Sequence, residues 1–212
     1  MQLDMFPDVN HPEESARARL RSLGQLWSIC RKCPLHVERR RVVMGCGKPL
    51  SPVLALVGEA PGEAEDREGL PFVGKSGELL TQMLVAAGLD RAELFVVNTV
   101  ACRPPKNRPP EEAELKACSE LFKAQMEIVR PYHILALGLT AAAKLLKTKK
   151  ALRDLRGNWH DWEDIPVRVT YHPAALLRDP AKKPAAWADL VAVLRKIERP
   201  VPDLGPSPSP AP

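Results

Sequence analysis

The 212-residue chain has no run of 18 or more apolar residues, so nothing in it reads as a membrane-spanning helix. Its first stretch, MQLDMFPDVNHPEES, is polar and acidic and lacks the apolar region of a signal peptide. The expected location is therefore the cytoplasm, with no membrane partner. No internal repeat is visible. A phosphate-binding loop is missing where one is first looked for. The β-branched run VLALV delivers the chain into GEAPG, but the Lys and Ser or Thr that a P-loop needs soon after its glycines do not follow there. Glu59, Glu63, Glu65, Asp66 and Glu68 stand in and after that turn instead, and five carboxylates would repel a triphosphate.

What is present suits one domain: 45% of residues are hydrophobic, enough for a real core. A net charge of +5 and a pI near 9.0 hint at a polyanionic partner, though weakly by themselves. The five cysteines are informative by position. Cys30 and Cys33 form CRKC, fifteen residues separate Cys102 from Cys118, and Cys46 stands alone between glycines. In a reducing compartment a CxxC pair reads as metal binding or redox chemistry, not as a structural disulfide.

Periodicity predicts a helix over 13–29, with Leu20, Leu23 and Trp27 on one face. Further helices are expected from Ser76 to Gly88, over 111–129, over 141–146 and over 184–198. Strands are predicted at 53–57, 94–98, 134–137 and 167–171, and a turn-rich segment carries Trp159 and Trp162. Alternating strands and helices imply a mostly parallel sheet covered on both faces, with ligands at the carboxyl ends of its strands. The organisation expected is a flexible N-terminus over 1–12, one domain over 13–199 and a disordered proline-rich tail over 200–212.

Several residues carry both a functional and a bland reading. Asn98 closes the second strand, and its amide can pair with a nucleobase edge or merely satisfy nearby backbone. His172, in YHPAALLR, precedes a proline that disfavours helical backbone, which suggests an imidazole held at a loop entrance or a structural histidine. Leu176 and Leu177 read as exposed loop side chains or as the opening of the next helix. Phe72, one of four phenylalanines, is a core residue or the wall of a flat pocket. CRPPKNRPP sets Arg103, Lys106 and Arg108 on a proline-stiffened loop beside a cysteine, suited to phosphate contacts or simply to solvent.

Together GEAPGEAEDREGLPFVGKSGELL, VVNTVACRPPKNRPP and HPAALLR, with four cysteines in order, resemble the family 4 uracil-DNA glycosylases, the iron–sulfur type of bacteria and archaea. The resemblance spans about residues 20 to 197. It implies a three-layer α/β/α sandwich with a central four-stranded parallel sheet. It also implies a DNA repair enzyme that flips uracil out of the stack and hydrolyses its N-glycosidic bond. Phe72 would then stack on the base, Asn98 would read its O4 and N3–H, and His172 would hydrogen-bond O2. Glu59 would orient the water or stabilise the cationic sugar; Ala60 stands where family 1 enzymes carry an Asp. Glu65 would exclude the methyl group of thymine, and Gly62 would let backbone lie close to the base. Leu176 is the expected wedge into the duplex, with Arg178 on a phosphate.

By spacing alone Cys30, Cys33, Cys102 and Cys118 could hold zinc, whereas the resemblance implies a structural [4Fe–4S] cluster with Cys46 a bystander. The implied partner is uracil-containing DNA, single- or double-stranded, bound by a monomer; a sliding clamp is a candidate partner for the tail. Two alternatives compete with this reading. One is a related family 5 or cross-linking glycosylase, although no basic insertion follows CRPP. The other is a non-catalytic iron–sulfur DNA-binding module on the same fold.

Overall fold

The computed structural model describes residues 11–202. The tail from 203 onward and residues 1–10 of the expected flexible N-terminus therefore lie outside the described residues. Pro12 already opens the first helix. The helices are α1 (Pro12–Ser28), α2 (Glu63–Glu68), α3 (Lys75–Ala86), α4 (Glu112–Ala117), α5 (Ser119–Val129), α6 (Leu139–Leu146), α7 (Leu152–Leu155), α8 (Pro173–Arg178) and α9 (Lys183–Lys196). The strands are β1 (Cys46–Gly47), β2 (Ala55–Gly58), β3 (Phe95–Asn98), β4 (Ile134–Leu137), β5 (Trp159–Trp162) and β6 (Ile165–Thr170). No helix among the described residues is long and apolar enough to cross a membrane.

The sheet order is β1-β3-β2-β4-β6-β5. Its centre, β3-β2-β4-β6, is the expected four-stranded parallel sheet, with β2 against both β3 and β4. Two antiparallel edge strands extend it to six, which corrects the strand count. Neither edge strand announces itself in the sequence. β1 is two residues long, too short to alternate. β5 reads WHDW and returns into β6 through Glu163-Asp164, both at positive φ (51° and 67°), without the Asn-Gly or Asp-Gly that marks a two-residue hairpin.

Strand alternation sorts the core into two layers. Ala55, Val57, Phe95, Val97, Ile134, Ala136, Val167 and Val169 face α5, α6 and α7. Leu54, Leu56, Leu94, Val96, Leu135 and Leu137 face α3 and α9. A third cluster joins Trp27 of α1 to Ala101 and Leu121, with Cys30 and Cys118 packed against it. The single helix expected over 111–129 is broken at Cys118 into α4 and α5. The carboxyl ends of the central strands all open on one edge. Because the chain steps from β2 to β3 on one side and to β4 on the other, that edge holds the crevice where such sheets bind ligands.

Candidate active site

A cavity of about 380 Å³ opens at this edge. Glu59, Pro61, Gly62, Glu65 and Phe72 line it from the segment after β2, Asn98 from the end of β3, and His172, Ala174 and Arg178 from the segment after β6. Pro104, Asn107 and Arg108 close it from the proline-rich loop. Eight of the expected site residues thus share one cavity, brought together from three strand ends and a loop. Arg103, Lys106 and Leu176 are not in its wall.

The floor is shaped for a flat ring. Phe72 is 5% exposed, and its ring centroid lies 5.6 Å from that of His172, tilted by 34°. A Cβ on Gly58 would stand 2.4 Å from Asn98 Oδ1 and 2.5 Å from the Phe72 ring, so only glycine leaves this floor open. Asn98 is buried, and its Oδ1 is an acceptor with no partner in the protein. Buried polar atoms are normally satisfied, so an unpaired acceptor in a cavity wall is a waiting contact for a donor.

His172 caps the short helix α8, and its Nδ1 accepts a hydrogen bond from Ala174 N at 3.1 Å. The ring proton therefore sits on Nε2, leaving that nitrogen a donor. Burial, and then the Arg178 charge, push the imidazole down to about 4, against an opposing pull from Glu65. The ring is neutral at physiological pH.

Glu59 is held from a side absent in the sequence reading. Thr140, at the start of α6, donates its hydroxyl to Glu59 Oε2, while Thr99 Oγ1 donates to the Glu59 carbonyl at 2.6 Å. Among the described residues nothing donates to the other carboxylate oxygen, which is left for a water or a developing cation. Thr140 could be found only through the fold, since 81 residues separate it from Glu59.

The other carboxylates of the first motif are largely structural. Glu65 accepts from Gly62 N (3.0 Å), Val73 N (2.9 Å) and Gly74 N (2.9 Å), joining the two turns that frame the cavity. A Cβ on Gly62 would lie 2.8 Å from Glu65 Oε2, so that glycine makes room for this carboxylate. Asp66, also buried, accepts from Arg40 N and Arg41 N. One pattern passed over in the sequence, GLPFVGKS at 69–76, has P-loop spacing and opens α3. Its amides at Val73 and Gly74 already hold Glu65, so an internal carboxylate stands where a phosphate would bind.

One expectation needs correction, and two of the expected phosphate contacts are already engaged within the protein. Leu176 is fully buried on the inner side of α8 and cannot wedge a duplex; its neighbour Leu177 is 47% exposed. Six residues of helix after His172 turn the first leucine inward and the second outward. Arg108, expected on phosphate, is forked onto Glu114 at 2.7 and 2.8 Å, and Glu114 is 1% exposed. Its guanidinium holds the Glu114 carboxyl below the ordinary carboxylate range. Arg103 is also engaged, with Asn107 Oδ1 at 2.7 Å and Glu63 Oε2 at 3.5 Å. Lys106 and Arg178 are exposed, and no ion pair engages either among the described residues.

Of the four candidate ligand cysteines, Cys30 and Cys118 pack against the Trp27 cluster, and Cys102 is buried at the start of the proline-rich loop. No three His, Cys, Asp or Glu side chains among the described residues are set to hold a metal ion. The thiols nonetheless act on one another: Cys30 and Cys33 bear on both Cys102 and Cys118, and Cys102 bears on Cys118. Arg39 Nη1 donates to Cys102 Sγ at 3.2 Å and Ala101 N to Cys118 Sγ at 3.4 Å, contacts that favour thiolate sulfur. Burial pushes the Cys118 thiol up to about 12. Four cysteines that bear on one another, two of them with N–H donors at sulfur, are the donor chemistry that an iron–sulfur cluster would require. The charge acting on Cys46 is that of Arg91, and no interaction ties it to the other four.

A family model described as the uracil DNA glycosylase superfamily matches residues 44–194, well over half the chain. The chain belongs to that superfamily. Within it, the chain is 41% identical over 179 residues to a type-4 uracil-DNA glycosylase of Pyrobaculum aerophilum, covering 81% of this chain and 91% of that protein. Identity to the type-4 uracil-DNA glycosylase of Thermotoga maritima is 45% over 152 residues, 71% of this chain and 79% of that one. A type-5 uracil-DNA glycosylase of Pyrobaculum aerophilum is less similar, at 30% over 181 residues, covering 69% and 79%.

Proposed function

We propose that this chain is a DNA repair hydrolase that takes uracil out of DNA and cleaves its N-glycosidic bond, leaving an abasic site. The observation that carries this reading is the unpaired Asn98 Oδ1, buried in the cavity wall beside the Phe72 ring and His172. Uracil offers N3–H to that oxygen and O4 to the amide NH2. Cytosine reverses the pattern, so an amide in this orientation meets it donor to donor. The flipped base stacks on Phe72.

As the C1′–N1 bond breaks, negative charge grows on the base, and His172 donates Nε2–H to O2. A neutral donor already in place needs no reorganisation, and one such group is commonly worth about 3 kcal/mol. Glu59, held by Thr140, turns its free oxygen toward the water or the cationic sugar. Leu177, not Leu176, is the apolar side chain available to fill the gap in a duplex, and Lys106 and Arg178 are the cations available to phosphates.

Cys30, Cys33, Cys102 and Cys118 would hold a [4Fe–4S] cluster. The group would supply a structural anchor and no step of the hydrolysis. It would join α1, the start of α5 and the loop that carries Pro104, Asn107 and Arg108 to the cavity. Action as a monomer, on single- and double-stranded DNA and in the cytoplasm, belongs to the same proposal.

The experiment is uracil release from single-stranded U, U·G and T·G oligonucleotides, with Asn98→Ala alongside. Release from both uracil substrates, sparing T·G and largely lost in the variant, is expected. No release from a folded, iron-containing preparation would overturn the assignment and favour a non-catalytic DNA-binding module.

A further inference from the structure

We propose that Arg91 is a positioning residue for base binding, acting through Phe72; the proposal rests on the uracil reading above. Arg91 lies in a 3-10 turn over Arg91–Glu93, immediately before β3 and outside every motif that points to the active site. Its guanidinium grips two consecutive carbonyls: Nη2 donates to Pro71 O at 2.6 Å and Nη1 to Phe72 O at 2.8 Å. Nη1 also donates to Thr81 Oγ1 of α3 at 3.1 Å.

The need for such a grip is visible in the backbone. Phe72 has φ 55°, the left-handed region that a side chain rarely adopts. Residues held there persist only when their surroundings over-determine them. Arg91 fixes the Pro71–Phe72 peptide plane through the Pro71 carbonyl. The next plane is fixed from both sides, by Arg91 on the Phe72 carbonyl and by Glu65 Oε1 on Val73 N at 2.9 Å. With the peptides on either side of its Cα pinned, neither φ nor ψ of Phe72 can relax. Helix α3 closes the remaining space, since a Cβ on Gly77 would stand 1.9 Å from the Phe72 oxygen.

Released from this clamp, Phe72 would return to negative φ and carry its ring off the cavity floor. Lysine cannot replace the fork, because one ammonium does not span two carbonyls in fixed geometry. Arg91 also bears on the Cys46 thiol, so the test must separate an effect through Phe72 from a general loss of packing.

A double-mutant cycle does so. Arg91→Lys, Arg91→Gln, Phe72→Ala and the two combinations are compared below their melting temperatures, with near-UV circular dichroism reporting fold. The readouts are kcat and KM on a single-stranded uracil oligonucleotide and inhibition by free uracil. Arg91→Lys is expected to lower kcat/KM and weaken uracil inhibition by about tenfold or more, as for a lost charge-assisted hydrogen bond. In the Phe72→Ala background the same substitution should cost nothing further. An equal loss in both backgrounds, or wild-type inhibition and kcat/KM in folded Arg91→Lys, would overturn the proposal. A folded wild-type enzyme that releases no uracil would instead refute the function itself.

Discussion

Lowering the pH tests the neutral imidazole of His172 directly. The native state holds that ring at about 4 where its ordinary value is 6.5, chiefly through burial. At roughly 1.4 kcal/mol per pH unit, the interval corresponds to about 3 kcal/mol. Above the ordinary value the ring is neutral in both folded and unfolded chains and contributes nothing. As pH falls below it, the unfolded chain takes up a proton that the native site refuses, so stability declines until the native ring is itself protonated. Catalysis follows a different curve, because the neutral ring keeps Nε2–H throughout. Single-turnover uracil release should therefore show no His172 limb between about pH 5 and pH 8, and should fall only as the ring titrates below that range. Thermal melting over the same range, for wild type and His172→Gln, should show a pH-dependent loss in wild type that the variant lacks. An acid limb with a midpoint near the ordinary histidine value would refute the reasoning, since it would mean a solvated imidazole. A rate that rises through that midpoint on acidification would make the cation the active donor.

Further outcomes follow from particular contacts. Gly58→Ala should cut kcat/KM by more than about 100-fold at a stability cost of about 1–3 kcal/mol, because its Cβ invades the base floor; steady-state kinetics and melting check both. Glu65→Gln should destabilise by about 2 kcal/mol in urea titrations, since an NH2 would face a backbone N–H where an oxygen now accepts. Leu176→Ala should cost about 2–5 kcal/mol of stability. Leu177→Ala should leave stability unchanged while slowing release from U·G duplex more than from single strands; equal slowing on both would deny it the wedge role. Purified protein should carry iron with visible absorbance, and its removal by chelator, or Cys118→Ser, should lower the melting temperature. Zinc in place of iron in the native protein would refute the cluster.

The chemistry of this site was legible in the chain because it is written in short, contiguous motifs. GEAPG, the Asn that ends a strand and HPAALLR each lie within a few residues of a strand end, and the alternation of apolar strands with helices is enough to predict the parallel sheet that gathers them. The two edge strands were not legible: one has too few residues to show a period, and the other turns on a Glu-Asp pair without the usual hairpin residues. Nor could local sequence decide which of Leu176 and Leu177 faces outward, because that choice is made by the helical phase after His172 and by what lies beneath it. Glu65 and Arg108 line the cavity, and only folding shows that backbone amides also hold the one and the Glu114 carboxylate the other. Thr140 and Arg91 belong to no motif at all. Their roles exist only because the ends of β2 and β4 lie side by side and because the turn before β3 passes under Phe72, contacts between residues far apart in the chain. The sequence alone thus determined which groups could meet a base. Tertiary structure decided which of their atoms remain free to do so, since an atom whose hydrogen bonds are already made within the protein has little left to offer a ligand.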